Sequence, residues 1–159
     1  MPTIFRLLSE FAWAIFLAMA AFNYQKARAA VDSFPPERAT EAALYLKRLL
    51  VGANLPWLVM AAGYLTGFTP TIWYYFRPQD GNVFVLAWLA LAFLLSCLFA
   101  WWVLLQGGAE KVRDMSLLVV LGQPNVKSLL MIKLQAAAGP LIFPIWIYLA
   151  VSMNAEIPR

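Results

Sequence analysis

Histidine is absent from this chain of 159 residues. That removes the commonest metal and haem ligand and the commonest general base together. Cysteine occurs once, as Cys97, so no intrachain disulfide and no thiolate cluster can form. A lone Cys deep in an apolar run reads as a small packing residue. Charge is scarce too, at 13% of residues against about 25% in an ordinary soluble domain. Hydrophobic residues make up 63%, and the mean hydropathy is +0.71. A soluble globular class is excluded on these values. The net charge of +4 does not point to nucleic acid. Its cations sit at the edges of apolar runs, where they set topology and meet anionic head groups.

Between Asp80 and Glu110 the chain runs 29 residues without a charge. About 20 apolar residues at roughly 1.5 Å each cross a hydrocarbon core, so this stretch predicts a transmembrane helix. Runs 49–76 and 134–155 are likewise uncharged. The first apolar run, 4–22, is weaker because it holds Arg6 and Glu10. Four apart on a helix, these two face each other, which softens the cost of both charges. Ala18, Met19 and Ala20 also have the small-x-small form of a signal-peptidase site. The segment is read here as a retained helix.

The expectation is an all-α polytopic membrane protein, one domain over 1–159. Its bundle has four transmembrane helices at about 4–22, 46–67, 83–106 and 128–153. Pro35, Pro36 and Glu37 start a helix well, giving a cytoplasmic extension before the second span. From 36 to 67 such a helix is about 48 Å long, roughly 18 Å more than the core needs. Gly107 and Gly108 release the third helix, and 109–121 reads as a short interfacial helix with Val112, Met115 and Val119 on one face. Asn125 is an N-cap candidate for the fourth helix after the turn at 122–125. There Pro140 and Pro144 follow the small residues 136–139, which predicts a bend with close helix contact. Lys133 should snorkel to the nearer interface.

Four spans put both termini on one side. Loops 23–48 and 107–127 hold eight Lys and Arg residues, the other side only Arg6, Arg77 and Arg159. The positive-inside rule makes those loops cytoplasmic and both termini external, in a bacterial cytoplasmic (inner) membrane.

Few residues carry chemistry. Glu10 is the one carboxylate expected within the bilayer, as a proton carrier or counter-ion, or simply paired with Arg6. Pro56 cannot donate to the Gly52 carbonyl, so a kink is expected, with Asn54 bonding a freed backbone group or lining a cavity. Ala92, Ser96 and Ala100 form a small-residue ladder, as do Gly63 with Gly67 and Ala14 with Ala18. Trp73, Tyr74, Tyr75 and Phe76 suit an interfacial belt. Trp13 and Trp57 fall nearer mid-membrane, facing another helix or a bound lipid.

No nucleophile–base pair, phosphate loop or metal-ligand set is found, so no catalytic, cofactor-binding or metal residue is assigned. The chain is therefore expected to be non-catalytic and to need no cofactor. Its expected role is an accessory or structural subunit of a larger membrane complex. Its partners would be membrane lipids and other membrane subunits or copies of itself, with no nucleic acid. The alternative is a small oligomeric transporter or channel using Glu10 or the Asn54/Pro56 break. A membrane-embedded enzyme acting on a lipid or other apolar substrate ranks third.

Overall fold

The computed structural model describes residues 3–32, 34–115 and 128–153. All regular structure among them is helical. The helices are α1 (Thr3–Glu10), α2 (Ala12–Val31), α3 (Pro36–Leu65), α4 (Val83–Leu105), α5 (Gly108–Asp114) and α6 (Leu129–Met153). Two short 3-10 turns, Ile72–Phe76 and Pro78–Asp80, join α3 to α4. Three helices are long and apolar enough to cross a membrane: α3, α4 and α6. A fourth span is reached if the bent pair α1 and α2 is counted as one.

That bend breaks the helix expected at 4–22 into two. The chain turns by 71° at Phe11, whose φ of −104° and ψ of 17° leave the helical region. The hydrogen bonds continue across it, from Phe11 to Leu7 at 2.9 Å and from Ile15 to Phe11 at 3.0 Å. Just before the bend, the Ser9 hydroxyl donates to the Arg6 carbonyl at 2.8 Å. Back-bonding of this kind bends helices. Beyond the bend α2 runs on to Val31, so much of the expected loop 23–48 is helix. Its apolar residues Ala27 and Val31 are four apart, and with Phe34 they form one core with Ala42, Leu46 and Met115.

The start of α3 at Pro36 agrees with the sequence. Its end is set by Gly67 at φ +78°, with Gly67 donating to Tyr64 and Thr69 to Gly63. The main helix contacts run α2 with α3, α3 with α4, and α4 with α6. Each pair is antiparallel. Near one end Phe16 stacks on Trp57, Trp57 meets Trp88, and Trp88 meets Trp146. Near the other, Val31 shares a core with Leu46, Tyr45 meets Trp102, and Val103 shares a core with Ile132. The first is the aromatic end of the bundle and the second its basic end.

The helix expected at 109–121 is shorter, ending at Asp114. Residues 116–127, including Val119, Asn125 and the turn at 122–125, lie outside the described residues. Its apolar side is also turned differently from an interfacial helix. Ala109 and Val112 pack with Val103, Ile132 and Ala136, and Met115 joins the α2–α3 core. Gly107, at φ +70°, lets the chain double back. Gly108 then lies under Trp102, where a Cβ would stand 2.5–2.8 Å from ring atoms. No larger residue fits.

Candidate functional site

On α3 the residues Glu41, Tyr45, Arg48, Gly52 and Pro56 recur at spacings of three and four, so they share one helix face. Opposite, α4 presents Ala92, Ser96, Phe99 and Trp102. Between them lies a half-open groove of about 860 Å³. Its floor is small: Gly52 has no heavy atom within 4 Å of where a Cβ would sit. Its flanks are large and apolar, Leu49, Leu95, Leu98 and Phe99 among them.

Charge is confined to the basic end of this groove. The Lys111 ammonium donates to Glu41 Oε1 at 3.0 Å, tying α5 to α3. Arg38 and Asp114 make a second tie at 3.7 Å. Arg48 also lines the groove and has no ion pair or hydrogen bond among the described residues. Trp102, pinned over Gly108, forms the end wall beside Tyr45, with ring centroids 6.2 Å apart.

The residues singled out from the sequence are partly gathered here. Pro56 and Ser96 both line the groove. Asn54 lies nearby, its amide donating to the Leu50 carbonyl at 2.6 Å while its Oδ1 is buried without a donor. Glu10 is elsewhere: it pairs with Arg6 at 3.4 Å on α1, which packs against the turn Ile72–Phe76 at the aromatic end. Pro140 and Pro144 lie within α6, Pro144 exposed and Pro140 half-buried. Ser96 faces α6 as well, its Cβ 3.6 Å from the position a Cβ on Gly139 would take. Arg48, Tyr45 and Lys111 also line the groove, though the sequence does not single them out as groove residues. The spacing along α3 was a usable signal, but α5 had to be folded back before Lys111 joined it.

At the aromatic end, Trp13 and Trp57 face protein, against Tyr64 and against Phe16 and Trp88 respectively. Tyr75 is not a belt residue. It is 2% exposed, and its hydroxyl meets the Thr69 hydroxyl at 3.2 Å above Gly63. Burial raises the Tyr75 phenol above its ordinary value, and the Thr69 bond pulls the other way.

Chemically, the groove can hold an apolar chain with a polar head at one end. Among the described residues no three His, Cys, Asp or Glu side chains gather in a way that could hold a metal ion. Compared with known proteins, the chain matches no family model, no curated protein and no solved structure.

Proposed function

We propose that this chain is a non-catalytic accessory or structural subunit of a larger membrane protein complex. In this reading α3, α4 and α6 cross a bacterial cytoplasmic membrane, and the bent pair α1 and α2 makes the fourth span with α1 towards the outer surface. The exposed Ile4, Phe5, Leu7 and Leu8 would then rest in the interface. The basic end would be cytoplasmic, as the Lys and Arg distribution requires.

One observation carries the proposal: a folded headpiece stands at the basic end. With 30 residues α3 is about 45 Å long, some 15 Å more than a bilayer core needs. The excess is not a loose tail. It is packed against the end of α2 through Ala27, Val31, Phe34, Ala42 and Leu46, and clamped by the Lys111–Glu41 and Arg38–Asp114 pairs. A rigid projection with exposed Glu37 and Arg28 suits contact with another subunit. The test is purification from native membranes in gentle detergent. A partner chain at fixed stoichiometry is expected; a chain recovered alone, at one defined size, would contradict the proposal.

The transporter reading keeps one observation in its favour, the buried, donorless Oδ1 of Asn54 beside Pro56. A symmetric homo-oligomer, with solute flux in vesicles lost on Asn54→Leu, would favour it. Glu10 supports it less, being paired and at the aromatic end.

A further inference from the structure

We infer that the α3–α4 groove is a binding site for one anionic phospholipid of the leaflet at the basic end, an acyl chain in the groove and the phosphate on Arg48. The groove follows α3 from Glu41 to Pro56, fifteen residues and so about 22 Å along the helix axis. It is open along one side, so a chain can enter laterally from the bilayer. Gly52, Ala53, Ala92 and Ser96 keep its floor low, and Gly52 has open space above it. A flexible hydrocarbon chain fits that form.

Charge selects the head group. The mouth holds Arg48, Lys111 and Glu41, and Glu41 is already engaged by Lys111 at 3.0 Å. This leaves the Arg48 guanidinium without a partner among the described residues. Guanidinium forks match phosphate oxygens in a bidentate manner. Basic pockets between membrane helices bind anionic head groups for the same reason. Tyr45 and Trp102 flank the mouth with amphipathic rings, the residue type that sits at head-group level. A zwitterionic lipid would bring its own cation to the mouth and gain less. The partner helix of another subunit would have to place an acidic side chain beside Arg48 to match it, which makes it an outcome of the test.

The test uses the full chain in detergent micelles and native mass spectrometry. Phosphatidylglycerol and phosphatidylcholine of identical acyl chains are titrated separately, and binding of the first lipid is read. The parent should prefer phosphatidylglycerol. Arg48→Gln should reduce that preference by about fivefold. Lys47→Gln, the same charge change one residue away and outside the groove, should leave it unchanged. Gly52→Leu and Ala53→Leu, which fill the floor, should weaken binding of both lipids together. Equal binding of both lipids by the parent would overturn the inference. So would a preference unchanged in Arg48→Gln, or one lost equally in Lys47→Gln, which would mean diffuse surface charge. Arg48 is exposed, so its variant folds and decides the matter even if a floor variant does not.

Discussion

Ser96 of α4 and Gly139 of α6 meet at a helix crossing so close that the Ser96 Cβ lies 3.6 Å from the site of an added Gly139 Cβ. The Ser96 hydroxyl is spent on its own helix, donating to the Phe93 carbonyl at 2.8 Å, so the contact is one of packing. Gly139→Ala should therefore be nearly neutral, since 3.6 Å is ordinary contact. Ser96→Leu and Gly139→Leu should each destabilise by about 1–3 kcal/mol through overpacking. Thermal unfolding in detergent measures both, with the exposed Leu94→Ala as the silent control. A silent Gly139→Leu would mean that the two helices do not touch there.

Gly63 is the tighter case. A Cβ there would collide with the Thr69 hydroxyl and stand 3.1 Å from that of Tyr75. Gly63→Ala should break the Thr69–Tyr75 bond and cost about 1–3 kcal/mol. Thr69→Val, which leaves the buried Tyr75 hydroxyl unsatisfied, should cost a similar 1–3 kcal/mol. Because burial raises the Tyr75 phenol above 10.0, its contribution is complete below that pH and falls as pH climbs past it. Ultraviolet titration should find Tyr75 among the tyrosines that ionise late, with Tyr75→Phe removing part of that late phase, and ionisation of all six at the ordinary value would contradict this packing.

The Arg6–Glu10 pair joins side chains that are 67% and 27% exposed. Screening holds such a pair to about 0–1 kcal/mol. Glu10→Gln should leave assembly, thermal stability and any activity of the host complex essentially intact. Normal assembly with complete loss of function would move the account to a transporter.

Much of the fold was legible because the bilayer imposes a length. The runs behind α3, α4 and α6 declare themselves by freedom from charge, and Pro36 marked the start of α3. The bend at Phe11 was not legible, since it depends on one Ser back-bond and on packing of α1 against the turn Ile72–Phe76. Nor was the helical end of α2: Asn23, Gln25, Lys26 and Arg28 read as loop, and only its contacts with Ala42 and Leu46 hold it as helix. Spacing suggested the Ala92/Ser96/Ala100 ladder, but not which helix it would meet. Beside that ladder Phe93 packs its ring on Phe143 of α6, centroids 5.8 Å apart.

Orientation is tested by membrane-impermeant thiol labelling of Glu37→Cys and Gln79→Cys in a Cys97→Ala background. In intact cells position 79 should label and position 37 should not. The reverse pattern would invert the topology, since the assignment rests on the Lys and Arg count alone.

The subunit proposal is met most directly by site-specific photocrosslinking in living cells. A benzoylphenylalanine at position 37, on the headpiece, and one at the exposed position 94 of α4 would be compared. The account predicts that position 37 gives a single saturable adduct with a different membrane protein, absent at position 94. Adducts of position 37 confined to lipid, or to a second copy of this chain, would contradict it.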